Sequence, residues 1–213
     1  MSKYPRTFHF DFSPGTTSDD RIAPSVESIL GIDIVITEKL DGSNTAMTKG
    51  GVYGRSHGEY TKNPWDLKSR EIWERIKRDI DEDVFIFGEG MYGIHSIEYS
   101  DLDSYFYIFG VRDNNIWLPW EGVEEYSYLL DIPTVPVLFE GVVDTEKELK
   151  NLVEKLSKES SALGGTREGI VARNANHFHN DDFDTNVFKW VRKGHVQTGE
   201  HWTRTWKKAT IKR

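Results

Sequence analysis

An apolar, β-branched run over residues 32–37 stops abruptly at Glu38-Lys39-Leu40-Asp41-Gly42-Ser43-Asn44. Ile34, Val35, Ile36 and Thr37 read as a buried strand, and Asp41-Gly42 as the turn that ends it. Lys39 then falls at a strand end, where a side chain can face a pocket. It could be a solvated lysine beside a common turn. It could equally be an amine nucleophile, its pKa lowered by neighbouring cations or by desolvation. The choice depends on whether the rest of the chain supplies partners for a nucleotide.

At 213 residues the chain is long enough for one well-buried core with at most a small appendage. No apolar run approaches the length of a membrane span. The opening MSKYPRTFHFDF lacks the apolar core of a secretory signal. The absence of cysteine excludes disulfides, thiolate chemistry and cysteine-based zinc sites. The expectation is a soluble, cytoplasmic protein, or a phage-encoded one acting in the host cytoplasm, with no membrane partner.

A net charge of -8 argues at first against nucleic acid, but the charge is uneven. From Thr185 onward there are eight cations (Lys189, Arg192, Lys193, Arg204, Lys207, Lys208, Lys212 and Arg213) and one acid, Glu200. A basic strip on an acidic body can track phosphates, although a basic tail with no partner has the same composition.

Residues 1–31 carry Pro5, Pro14, Gly15, Pro24 and Gly31, predicting loops with a short strand over 7–12. Residues 44–49 and 52–55 predict a hairpin around Gly50-Gly51. Asn63-Pro64 predicts a capped helix start, with Trp65, Ile72, Trp73, Ile76 and Ile80 facing the core. Residues 84–87 predict a strand running into Gly88-Glu89-Gly90, where the acid either reaches a ligand or belongs to a strand-ending turn. An aromatic strand is predicted over 105–111, with Tyr105, Tyr107 and Phe109 on one face, which could stack on a base. Helices are predicted over 121–130 and 145–161, the second amphipathic through Leu149, Leu152, Val153 and Leu156. Strands follow over 167–173 and 186–192, the last carrying Lys189. Between them, 174–184 reads as a polar loop whose His177 and His179 could bind a metal or be merely solvated.

These elements in order resemble the covalent nucleotidyltransferases, the superfamily of ATP-dependent ligases and messenger-RNA capping enzymes. Lys39-Leu40-Asp41-Gly42 looks like its nucleophile motif and Gly54-Arg55-Ser56 like the arginine element after it. Phe87-Gly88-Glu89 resembles the third motif, and 105–109 the aromatic strand that follows. Glu168-Gly169-Ile170-Val171 and Val187-Phe188-Lys189-Trp190 look like the fourth and fifth. Within the superfamily, the Phe-Gly-Glu form and the stretch from Trp190 through His201-Trp202 are most similar to RNA ligases that seal nicks. Two departures stand out. Val191 occupies a position that is a second lysine in many members, so Arg192 or Lys193 would have to supply that charge. The chain also stops soon after the fifth motif, leaving no room for an OB-fold domain.

The resemblance implies an α+β, ATP-grasp-like nucleotidyltransferase domain of antiparallel sheets flanked by helices around a nucleotide cleft. A single domain is expected over 1–213, with a basic strip over 192–213, acting as a monomer. It implies Lys39 as the nucleophile toward ATP, forming a lysyl-AMP, with Lys189 and a Mg²⁺ (or Mn²⁺) lowering its pKa. Asp41 and Glu168 would anchor the metal, directly or through water molecules in the ion's hydration shell. Glu89 would bind the ribose, Phe109 stack on adenine, Arg55 contact phosphate or ribose, and Glu38 reach the base edge. AMP would then pass to a 5′-phosphate, and a 3′-hydroxyl would close the RNA nick. Arg192, Lys193, His195, Arg204 and the Trp202/Trp206 pair would hold the RNA, unless the tryptophans instead pin the tail to the body. The rival expectations are a compact DNA ligase, a capping guanylyltransferase using GTP, and a non-catalytic nucleotide- or RNA-binding module.

Overall fold

The structure, a computed structural model, describes residues 3–54, 60–194 and 206–212. In chain order the first half comprises β1 (Phe8–His9), β2 (Asp33–Lys39), β3 (Ser43–Thr48), β4 (Gly51–Gly54), α1 (Leu67–Ile76), β5 (Val84–Gly90), β6 (Gly93–Ile94) and β7 (Phe106–Asp113). The second half comprises β8 (Ile116–Trp117), α2 (Trp120–Leu130), β9 (Val137–Val142), α3 (Glu146–Ser157), β10 (Gly169–Asn174), β11 (Phe178–His179), α4 (Phe183–Asn186), β12 (Val187–Val191) and β13 (Lys207–Lys208). One sheet has the order β1-β12-β10-β2-β9, a second β11-β8-β7-β5-β3-β4, and β13 pairs with β6. The pairings are antiparallel except that of β1 with β12.

Side-chain alternation gives each large sheet a helix-covered face and an inner face. On the first sheet Ile34, Ile36, Ile170, Ala172 and Phe188 bury one face against Leu149, Val153 and Leu156 of α3. On the second, Met47, Ile86, Phe106, Ile108 and Val111 pack with Trp73 and Ile76 of α1 and Val123 and Leu130 of α2. A third cluster joins Ala46, Phe87 and Trp117 to Phe178, Phe183 and Val187, so the inner faces meet through aromatic packing.

The expected hairpin and strands are observed with shifted ends, and several details differ. Asp41-Gly42 does not close a hairpin: it carries the chain from β2 in one sheet to β3 in the other. The run around Asn63-Pro64 begins as a 3-10 turn, Pro64–Asp66, and the Asn63 amide bonds to Asp66 Oδ2 at 3.3 Å rather than capping the helix backbone. Helix α1 stops before Ile80, which is buried beyond it, while Trp65 is half-buried against Trp206. Gly88-Glu89-Gly90 continues β5 instead of ending it, with a register shift between Phe87 and Gly88 that turns the strand. The polar stretch 174–184 is tied down by Phe178 and Phe183, both buried against Trp117.

Helix α3 shows how local sequence sets an end. Thr145 Oγ1 accepts from Glu148 N at 3.2 Å and Glu148 Oε2 accepts from Thr145 N at 3.1 Å, a reciprocal cap. At the other end the buried Arg167 guanidinium donates to Leu156 O and Ser160 O, satisfying carbonyls that lie beyond the helix bonds. That closure ends the helix at Ser157, short of the expected residue 161. Past the second sheet, Trp206 packs on Tyr92, Ala209 N donates to Tyr92 O, and the Tyr105 hydroxyl donates to Ala209 O. Residues 206–212 are therefore part of the body, as the pinned-tail alternative anticipated for Trp206.

Leu149 is fully buried between α3 and the first sheet, whereas Leu129 is 73% exposed on α2. Leu149→Ala is expected to cost about 2–5 kcal/mol in urea unfolding. Leu129→Ala is expected to change stability by less than about 0.5 kcal/mol.

Candidate active site

A cavity of about 340 Å³ opens between the inner faces of the two large sheets. Strand register explains its first wall. Thr37 of β2 lies opposite Val171 of β10, Val171 opposite Lys189 of β12, and Lys189 opposite His9 of β1. Side chains two apart along a strand share a face, so Lys39, Arg173 and Val187 join that row. The second sheet contributes Ser43, Asn44, Glu89, Phe109 and Trp117. Lys39, Glu89, Phe109 and Lys189, spread along the sequence from residue 39 to residue 189, border one cavity.

Glu168 immediately precedes β10, whose Gly169 is paired with Lys39. Lys39 Nζ lies 2.6 Å from Glu168 Oε2, with the lysine side chain 29% exposed and the glutamate 6%. The glycine is required here, because a Cβ on Gly169 would collide with Trp190 O of the next strand. Gly42 is constrained in the same way: a Cβ would sit 2.6 Å from Gly90 O, and its amide donates to Glu89 Oε1 at 3.2 Å. Both motif glycines therefore allow backbone to approach close to the charged pair.

The electrostatics of the ligand-free site favour the Lys39 ammonium. Burial pulls the Lys39 ammonium down, but the carboxylates of Glu168, Glu89 and Asp41 outweigh it and hold its pKa above the ordinary 10.5. Lys39 is thus kept protonated, not neutralised by Lys189, because acids surround it and Lys189 Nζ lies 3.5 Å from Asp20 Oδ1. Glu89 is pushed up to about 8 by burial and by the nearby Glu168 and Asp41 charges, against the pull of Lys39 and the Gly42 amide.

Other expected residues are placed differently. Asp41 Oδ2 accepts from Ser96 N at 2.7 Å and Ile97 N at 2.8 Å, and its own amide donates to the Tyr99 hydroxyl at 2.9 Å. That oxygen braces the loop after Lys39 against residues 96–97. Glu38 borders the cavity; its Oε2 accepts from Ala162 N at 2.9 Å and lies 3.6 Å from Arg167 Nε, while its buried Oε1 has no hydrogen-bond partner among the described residues. Adjacent residues of a strand point to opposite faces, which is why Glu38 and Lys39 have different partners. Neither Arg192 nor Lys193 borders the cavity. The backbone of Arg192 instead donates to Glu168 O at 3.0 Å. Arg55, His195, Trp202 and Arg204 lie outside the described residues. His177 is exposed and His179 Nδ1 accepts from Asp181 N at 3.3 Å. Among the described residues no group of three or more histidine or acidic side chains is arranged to hold a metal ion.

Several cavity residues had no sequence signal. Tyr4 reaches in from the amino-terminal segment and meets Phe109 edge-on, with ring centroids 5.0 Å apart. Arg173 is buried over the rings of Trp120 and Phe178, donates to Asn174 O and Leu118 O, and is drawn down to about 10, mainly by desolvation. Ser43 Oγ lies 3.2 Å from His95 Nε2 at the cavity edge.

The raised Glu89 pKa has a definite pH consequence. A carboxyl that binds its proton more tightly when folded favours the folded state at low pH, and that contribution is lost as pH rises toward about 8. Glu89→Gln is expected to gain stability relative to wild type progressively between about pH 5 and pH 8, measured by thermal unfolding across that range.

The RNA ligase family profile matches residues 32–191. No curated protein matches the sequence at a significant level. Among solved structures, an archaeal ATP-dependent RNA ligase is similar at 16% identity and a TM-score of 0.61, covering 92% of this chain and 49% of its own. A Naegleria gruberi RNA ligase mutant, solved with ATP and Mn, is similar at 18% identity and a TM-score of 0.61, over 92% of this chain and 58% of its own. A putative ATP-dependent DNA ligase from Aquifex aeolicus is similar at 16% identity and 0.58, over 92% and 51%. At these identities the likeness concerns the fold, and the chain spans roughly half to three-fifths of those structures' length. The family match runs unbroken through Lys39, Glu89, Glu168 and Lys189, and the chain belongs to the RNA ligase family.

Proposed function

We propose that this chain carries out the nucleotidyl-transfer chemistry of an ATP-dependent RNA ligase, with Lys39 as the nucleophile. The observation that carries this reading is the Lys39–Glu168 contact at 2.6 Å, bordering a cavity shared with Glu89, Phe109 and Lys189. The Lys39 ammonium loses one proton to solvent, its neutral Nζ attacks the α-phosphorus of ATP, a nitrogen–phosphorus bond forms, and pyrophosphate leaves; a second proton departs to solvent or pyrophosphate, and the third stays on the phosphoramidate nitrogen. Attack needs the neutral amine, so the contact with Glu168 has to be released first. Lys189 supplies a fixed positive charge for the phosphate oxygens as negative charge builds on them. Phe109 offers a ring face to the base, and Glu89 an acceptor to the ribose hydroxyls.

The donor chemistry suits a hard divalent cation. Glu168 and Asp41 are the carboxylates suited to hold a hydrated Mg²⁺ or Mn²⁺, Asp41 through the oxygen that does not accept the Ser96 and Ile97 amides. An ion that keeps most of its water needs only one or two carboxylates. When bound, it offsets phosphate charge. The Naegleria gruberi structure with ATP and Mn supports this choice of substrate and ion.

AMP then passes from Lys39 to the 5′-phosphate of an RNA strand, and a 3′-hydroxyl displaces AMP to form the phosphodiester. RNA with 3′-hydroxyl and 5′-phosphate ends, held as a nicked duplex, is the proposed acceptor, and the family membership supports RNA. The similarity to a DNA ligase makes a DNA nick the reading to test against it.

Incubation with α-labelled ATP and Mg²⁺ is expected to add one AMP to the intact mass, with GTP much less effective. Lys39→Ala should abolish the adduct; an adduct that persists there would remove Lys39 as nucleophile. Adding nicked RNA or nicked DNA to the adduct distinguishes the acceptors by which nick closes. Phe109→Ala is expected to raise the KM for ATP in adduct formation roughly 5- to 100-fold, the scale of a lost base–aromatic stack of about 1–3 kcal/mol.

A further inference from the structure

The amino-terminal segment brings a carboxylate to Lys189. Strand β1 runs parallel to β12 with His9 opposite Lys189, and the pairing continues beyond the strand as Phe10 N donates to Lys189 O and Gly15 N to Val191 O, each at 2.9 Å. Ser13 Oγ accepts from Val191 N at 3.0 Å and lies 3.0 Å from His9 Nδ1. Across the imidazole, His9 Nε2 is 3.1 Å from Asp20 Oδ1, and the same oxygen is 3.5 Å from Lys189 Nζ. Asp20 Oδ2 accepts from Thr17 N at 3.0 Å and from Thr17 Oγ1 at 2.9 Å. Both carboxylate oxygens are therefore held from inside the segment, and one of them faces the lysine.

We propose that Asp20, oriented by His9 and Thr17, is a positioning residue that directs the Lys189 ammonium into the cleft. The inference rests on the ligase reading of the site. A lysine is a compact charge on a flexible stem, so its direction must come from a partner. Charge fixed before reaction stabilises developing phosphate charge without reorganising in the step itself. Strand β12 carries Lys189 alone among charged residues, with Val191 two positions on, so no second cation of the strand can substitute for a misdirected Lys189.

His9 is suited to its part. It is 2% exposed, and burial together with the Lys189 charge draws its pKa below 6.5 despite Asp20. A neutral imidazole donates from one nitrogen only. Nε2–H donates to Asp20 when the Ser13 hydroxyl turns from Val191 O, 3.4 Å away, to His9 Nδ1 at 3.0 Å, the tautomer assigned from the Asp20 contact. The carboxylate then keeps its negative charge for Lys189, and burial is outweighed by Thr17, Lys189 and His9, which bring Asp20 down to about 2.

The test is single-turnover formation of the Lys39 adduct at saturating ATP, on the full chain, with unfolding temperature measured alongside. Asp20→Ala is expected to slow adduct formation about tenfold or more in the wild-type background and to add little once Lys189 is replaced by alanine. Asp20→Glu is expected to recover part of the rate, and Thr17→Ala to slow it in the same direction while leaving the strand pairing intact. An Asp20→Ala rate equal to wild type, or the same proportional loss with and without Lys189, would overturn the positioning role. Absence of any adduct in the wild-type protein would instead overturn the ligase reading on which it stands.

Discussion

The ion pair between Lys39 and Glu168 depends on two strands meeting at one point. Lys39 ends β2 and Glu168 precedes β10, and the antiparallel register sets Lys39 against Gly169. A residue with a side chain at 169 could not let β12 approach, and without β12 Lys189 would not share the row with Thr37 and Val171. The charged centre is thus a consequence of sheet register, and the apolar burial of the opposite face against α3 holds that register. A one-residue slip would turn Lys39 and Lys189 away from the cleft and the apolar set toward it.

The second sheet completes the site through a turn that changes sheets. Asp41-Gly42 carries the chain from Lys39 directly into β3, and the Gly42 amide and the Asp41 carboxylate tie the loop after Lys39 to Glu89 and residues 96–97. Acids gathered around one lysine make its protonated form the stable one before substrate arrives. The cation that Lys39 would lose on reaction has a counterpart on the same wall of the cleft in Lys189, itself bordered by Asp20. Charge in the cleft is therefore arranged in opposed pairs, and phosphate binding would rearrange those pairs within an already formed pocket.

Much of this was legible from residue type and spacing. Short β-branched and aromatic runs marked the strands, and the functional side chains at or beside their ends, Lys39, Glu89, Glu168 and Lys189, gather in the structure. Phe109 borders the cavity, but Tyr105 and Tyr107, expected on the same face, do not, because the β5–β7 register skips Phe109 and breaks the alternation there. Partners made by long-range packing were not legible. Nothing nearby in sequence shows that Ser96 and Ile97 would engage one oxygen of Asp41, or Ala162 and Arg167 one oxygen of Glu38. Tyr4, His9 and Asp20 sit in a segment of loops whose pairing with β12 spans almost the whole chain. Trp65 and Trp73 share an aromatic identity, yet only Trp73 enters the core, its indole donating to Thr48 O at 2.6 Å.

The central claim is that Lys39 is a nucleophile held in reserve as an ammonium by Glu168. The direct measurement is the ¹³Cε chemical shift of Lys39 followed by NMR through an alkaline titration of the ligand-free protein, in wild type and in Glu168→Gln. The account predicts a Lys39 pKa above the ordinary lysine value of 10.5 in wild type and a clear fall when the carboxylate is removed. A Lys39 that titrates well below 10.5 in wild type, or whose titration is unmoved by Glu168→Gln, would contradict it.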